Sequence, residues 1–291
     1  MTNDLVIATI GLTLLSAALF VAGWRVGNRT GRVAFYAVSV AAVAALTFYA
    51  VRLHDSVLLT RLMPVAVLPV IGRVMFPMAA FVAGLTAARI RAPWWRRILA
   101  PLPLILVAGH FTFDRFLDPP PQCDAPSWVE GVCMQTHPAT CGPAGAATLL
   151  REHGIEGSER ELAALCLTRS DGTTMHGLYR GLLVKTRGTP WRPEAFAGSL
   201  DDLRRRLRRG PVIVTVMLQR ADTRAPDFDP RYTTDWGWQP GMAHSVVITR
   251  ALDDTHIEVA DPATGRERWN LDALRVLWKG RGIQLTPREG P

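Results

Sequence analysis

Cys141, His244 and Asp261 are the residues of this 291-residue chain best suited to covalent chemistry, and Gln135 stands six positions before the cysteine. A thiol attacks a carbonyl only as the thiolate, so it needs a base; an imidazole supplies one, and a carboxylate orients the imidazole. An amide side chain just upstream can donate N–H to the oxyanion that forms on attack. The four types together point to acyl transfer through a thioester, with Cys141 as nucleophile, His244 as base, Asp261 as orienting group and Gln135 as oxyanion donor.

These residues work only if separate elements bring them together. In "MQTHPATCGPAGAATLLREHG", Pro143 suits a first helical turn and Gly154 a stop, which puts Cys141 at a helix N-terminus. The partial positive charge there favours thiolate over thiol. A second amphipathic helix is expected over 159–167, with Cys166 on its apolar face. A third is expected over 175–186, capped by Thr173 or Thr174, with His176 exposed in its first turn. Residues 199–210 read as a surface helix capped by Ser199. "PVIVTVML" reads as a buried strand. "HSVVITRALDD" and "HIEVADPATG" read as two strands joined at Asp253 and Asp254. Paired through that short connection, their far ends meet, and those ends are His244 and Asp261. Helices followed by a largely antiparallel sheet define an α+β domain.

The first part of the chain differs in kind. Residues 5–24 and 33–51 are apolar runs long enough to cross a bilayer as helices. Further spans are expected at about 70–90 and 98–114, with Trp94 and Trp95 as interfacial anchors and Arg73 snorkelling from a span end. The stretch 56–72 reads as an interfacial or broken helix. About four spans over 1–117, then a domain over 118–291 after the stiff "PPP" spacer at 119–121, is the expected organisation. Ten arginines against three acids give residues 1–114 a charge of +7, whereas the rest of the chain is nearly balanced at +1. The high pI therefore comes from the membrane part and does not indicate nucleic acid. Seven arginines in the loops at 25–32 and 89–97 outnumber three on the other side. That asymmetry places those loops in the cytoplasm and the 118–291 domain outside it, on a multi-pass inner-membrane protein. In that compartment Cys123 and Cys133, flanking "DAPSWVEGV", are candidates for a disulfide.

The blocks "QTHPATCGPAGAATLLREHG", "GTTMHGLYRGL", "LRRRLRRGPVIVTVM", "HSVVITRA" and "VADPATGRERW" resemble, in order, those of the bacteriocin-processing cysteine peptidases. The resemblance covers about 133–280. It implies a papain-like fold, a Cys–His–Asp triad on Cys141, His244 and Asp261, an oxyanion glutamine at Gln135, and cleavage of leader peptides after a double glycine. There are departures. Thr140 precedes the cysteine where an acid is common, and the chain has no G-x-x-x-x-G-K-[ST] motif for a nucleotide. The family's well-known members are fused to an exporter and face the cytoplasm.

Residues 219–240, "QRADTRAPDFDPRYTTDWGWQP", match none of these blocks and read as a lid, with Tyr232, Trp236 and Trp238 lining a substrate cleft or dipping into the membrane surface. Asp227, Asp229 and Asp235 have no calcium-loop spacing. The expected function is thus a membrane-anchored thiol peptidase acting on a peptide or protein, with a lipid bilayer as its other partner and no cofactor or metal. The competitors are a catalytically silent peptide-binding or sensor module and a thiol acyltransferase or amidase on the same fold.

Overall fold

The computed structural model describes residues 3–53, 55–117 and 119–288. The chain divides into two compact units, Met1–Pro119 and Pro120–Pro291.

The first unit is helical: α1 (Asn3–Arg29), α2 (Arg32–Phe48), α3 (Val57–Leu62), α4 (Leu68–Ile71), α5 (Met75–Arg89), α6 (Trp94–Leu99) and α7 (Leu102–Leu117). Four helical stretches among the described residues are long and apolar enough to cross a membrane: Asn3–Arg29, Arg32–Leu53, Leu68–Arg89 and Trp94–Asp114. Residues 56–72 are broken, as their prolines require, into α3, capped by the Ser56 hydroxyl, and α4, which opens the third stretch. Helices α1 and α5 touch through glycine. A Cβ on Gly23 would come 2.2 Å from the Phe81 carbonyl oxygen, and one on Gly84 would come 2.1 Å from that of Phe20. Such small-residue seams let helices pack where burial of apolar surface supplies no drive. Arg73 donates Nη1–H to the Phe111 carbonyl at 3.1 Å.

The second unit opens with a hairpin of β1 (Ser127–Val129) and β2 (Val132–Met134). Helices α8 (Cys141–Arg151), α9 (Glu159–Leu165) and α10 (Met175–Lys185) follow. Then come β3 (Trp191–Ala197), α11 (Leu200–Leu207), β4 (Val212–Met217), α12 (Arg231–Thr234), β5 (Ala243–Ala251), β6 (His256–Asp261), β7 (Gly265–Asn270), α13 (Leu271–Leu277) and β8 (Trp278–Pro287). The six longer strands form one antiparallel sheet in the order β3-β8-β4-β5-β6-β7. This is the α+β, papain-like architecture expected.

Helix α8 lies on the centre of that sheet. Its small residues set the approach: a Cβ on Gly145 would meet Ile213 of β4 at 3.0 Å and Val247 of β5 at 3.7 Å. The opposite face carries a second core, in which Val214, Val216, Val246, Ile248, Leu203, Leu274 and Leu277 are buried together. Helix α11 has a full capping box between Ser199 and Asp202. The Thr174 hydroxyl caps α10.

Two expectations change here, those for His176 and for the Cys123–Cys133 pair, while Cys166 is buried as expected. His176 is buried, because the first turn of α10 faces inward. Cys166 is the C-cap of α9 and fully buried; a Cβ on Gly181 of α10 would lie 2.2 Å from its sulfur. Cys123 and Cys133 are separate buried thiols and form no bridge. Cys133 points into the core from β2, where its N–H bonds the Thr148 hydroxyl at 2.9 Å, and the Cys123 thiol turns instead to the Pro121 carbonyl at 3.6 Å.

Candidate active site

Cys141 is the first residue of α8, an eleven-residue helix whose N-cap, Thr140, makes no side-chain capping bond. Pro143 has no N–H and that of Ala144 bonds the Thr140 carbonyl, so the N–H groups of Cys141 and Gly142 are the ones left to serve the thiol and whatever binds beside it. The His244 side chain and the backbone of Gly142 and Ser245 are the groups that act on the Cys141 thiol and favour its charged form. His244 stands at the start of β5, opposite Val216 of β4. Its Nε2 lies 2.7 Å from Asp261 Oδ1, so Nδ1 is the ring nitrogen left for the sulfur.

Asp261 ends β6 and is 5 % exposed. The same oxygen accepts from the Ala263 N–H at 2.7 Å, which fixes the carboxylate in its turn. The turn also receives Gln135, whose backbone N–H donates to the Pro262 carbonyl at 2.8 Å. The Gln135 side chain is weakly held. Its Nε2 is 3.5 Å from the His137 carbonyl, and its Oε1 is buried without a partner. The four residues named from the sequence thus converge on one place.

The electrostatics favour a charged pair. Burial opposes ionisation of the Cys141 thiol, yet its pKa is lowered by the hydrogen bond and charge of His244 and by the two backbone donors. Burial likewise opposes a charged His244, but the hydrogen bonds to Asp261 and Cys141 push its pKa up to about 10. Both shifts favour the thiolate–imidazolium pair over the neutral one. The other thiols go the opposite way. Desolvation pushes Cys133 up to about 11 and Cys166 up to about 12, and raises Cys123 as well.

Sequence reasoning passed over Glu159. It begins α9, is 1 % exposed, and accepts from the Thr136 N–H at 2.8 Å, the Thr136 hydroxyl at 2.8 Å and the Thr140 hydroxyl. Those threonines flank the segment between Gln135 and Cys141. Thr140 stands where the resemblance implied an acid, and the carboxylate arrives instead from α9. The one available signal was that substitution; a buried acid cannot be told from a surface one by type alone.

Tyr232, Trp236 and Trp238 of the 219–240 segment line one cavity of about 790 Å³ that also reaches Asp261. Trp238 packs edge-on to the His244 ring, with centroids 6.2 Å apart. Another cavity, of about 710 Å³ around Trp128, Arg151 and Lys185, contains none of the four residues. No cluster of metal-ligating side chains occurs among the described residues.

A thiol at a helix mouth facing a sheet-borne imidazole and carboxylate defines the class as cysteine peptidase. The peptidase C39 family model matches residues 130–185, which hold Gln135 and Cys141; His244 and Asp261 lie beyond it. An uncharacterized protein of Methanothermobacter marburgensis is 32% identical over 160 residues, 55% of this chain and 91% of that one. Another, of Methanothermobacter thermautotrophicus, is 31% identical over 137 residues, 47% and 75% of the two chains. The chain belongs to the peptidase C39 family. Among solved structures, the peptidase domain of Streptococcus ComA, a bifunctional ABC transporter, is 19% identical, with 53% and 96% of the chains covered and a TM-score of 0.39. A double-glycine-motif protease from an AMS/PCAT transporter, in complex with its leader peptide, is 16% identical, with 59% and 100% covered and a TM-score of 0.40.

Proposed function

We propose that this cysteine peptidase is membrane-anchored through residues 1–117 and cleaves a secreted or leader peptide with Cys141, His244, Asp261 and Gln135. The His244–Asp261 bond of 2.7 Å, with the Cys141 thiol under the influence of that imidazole, carries the reading. The thiolate attacks the scissile carbonyl carbon. The oxyanion takes N–H bonds from the Gln135 amide and the first turn of α8. His244 gives its proton to the leaving amine, a thioester forms, and His244 then takes a proton from the water that hydrolyses it. Asp261 holds the ring and favours its charged form. Glu159 is a positioning residue for the segment that carries Gln135.

Four apolar helices support anchoring, and the excess of arginine in the loops at 25–32 and 89–97 supports a peptidase domain outside the cytoplasm. The test is chemical. Iodoacetamide should label Cys141 ahead of the three buried thiols and abolish cleavage, and Cys141→Ala should be folded but inactive. Undiminished cleavage by Cys141→Ala ends the reading.

A further inference from the structure

The cavity beside the triad has a chemistry that the peptidase reading does not itself require. Three indoles stand in its wall: Trp236 and Trp238 come from the 219–240 segment, and Trp269 comes from β7. Trp238 bridges cavity and triad, since it packs edge-on against Trp269 at 5.8 Å between centroids and against His244 at 6.2 Å. The cavity therefore lies on the imidazole side of Cys141. His244 must protonate the amine that leaves, so the peptide residue following the scissile bond passes nearest this wall.

Charge narrows the occupant. Two bases, Arg268 and His256, also line the cavity, and both are already engaged by Asp253, which does not line it: Arg268 Nη2 is 3.0 Å from Asp253 and His256 Nδ1 is 3.1 Å from it. Of the wall's carboxylates, Asp261 is engaged by His244, and the other two have neutral donors. Glu267 accepts from the Trp269 indole N–H, and Asp235 accepts from the Thr234 hydroxyl at 2.6 Å. Neither has a cation at hydrogen-bonding distance among the described residues. The nearby Arg231 is held bidentately by Asp229, yet its guanidinium lies 5.5 Å from the Trp236 ring centroid, so this indole already takes a cation. Indole faces ending in carboxylates suit a long methylene stem with a positive head.

We propose that this cavity is a specificity pocket for a lysine or arginine side chain on the leaving-group half of the substrate. The proposal rests on the thiol-peptidase reading, but its test has an arm that does not. The full-length Cys141→Ala chain in detergent is titrated with Nα-acetyl-arginine amide, Nα-acetyl-norleucine amide and Nα-acetyl-glutamate amide, following tryptophan fluorescence. The arginine amide should bind at least about tenfold more tightly than the norleucine amide, the scale of one hydrogen bond to a charged group. Glu267→Gln, which keeps an acceptor for Trp269, and Trp236→Ala, at a ring already 51% exposed, should each erase that preference. Equal or better binding of the norleucine or glutamate amide, or no binding of the arginine amide, overturns the pocket. In parallel, the wild-type chain digests a mixed peptide library, and the new N-termini should be enriched in lysine and arginine. Cleavage without that enrichment sinks the pocket alone. Absence of any cleavage, together with an unreactive Cys141, sinks the peptidase reading instead.

Discussion

Asp261→Asn separates the shape of the triad from its charge. Asparagine can still accept from the Ala263 N–H and from His244 Nε2, the two bonds made by the carboxylate oxygen at 2.7 Å each. What is lost is the anion beside the imidazolium. A hydrogen bond to a charged group contributes about 1.5–3 kcal/mol, and one pKa unit corresponds to about 1.4 kcal/mol. The substitution should thus lower the His244 pKa from about 10 by about one to two units. The signs follow from the pair. Falling pH protonates the thiolate, and rising pH neutralises the imidazolium. In Asp261→Asn the acid limit should move up, because a weaker imidazolium stabilises the thiolate less, and the basic limit should move down, so the window narrows from both ends. Alkylation reads both limits without a substrate. The iodoacetamide rate against pH gives the thiolate limb. The ratio of iodoacetate to iodoacetamide rates reports the positive charge next to the sulfur, since only iodoacetate is attracted by it. That ratio should collapse near pH 10 in the wild type and near pH 8–9 in Asp261→Asn. The three other thiols interfere little, being buried and held protonated. If neither limb moves, Asp261 does not act on the imidazole's charge and the reasoning is wrong.

Other expectations follow from single contacts. Gln135→Ala should lower kcat about 10²- to 10³-fold with little change in KM, as loss of one oxyanion donor does, and should leave the alkylation profile unchanged. Glu159→Ala strands the Thr136 N–H, at a cost of about 1–3 kcal/mol in chemical unfolding. It should also reduce turnover, and much less so when Gln135 is already alanine, because the two act through one segment. Gly181→Ala forces a methyl against the Cys166 sulfur and should lower stability by about 1–3 kcal/mol, with part of the loss recovered by adding Cys166→Ala.

Much of the site was readable because it depends on local rules. Pro143 and the run of small residues mark a helix that starts at Cys141 and can be buried, and β5 and β6 are short apolar, β-branched runs bounded by turn residues. Strands β3, β7 and β8 carried no clear pattern, since "RPE", "GRER" and "KGRG" interrupt any apolar alternation. His176 looked like a solvent-facing polar residue, yet it is buried, because the orientation of a helix is set by what packs on it.

The sequence by itself determined which groups could react, where the thiol's helix begins, that two strand ends carry an imidazole and a carboxylate, and where the apolar spans lie. Composition, period and capping are properties of neighbouring residues, so they can be read from neighbours. Tertiary structure alone decided that Glu159 takes up the threonines around the Gln135 segment, that Cys123 and Cys133 stay apart, and that Trp269 joins the 219–240 segment around a cavity. Each of these is a meeting of residues distant in the chain or an orientation within the core, and such outcomes depend on how whole elements pack.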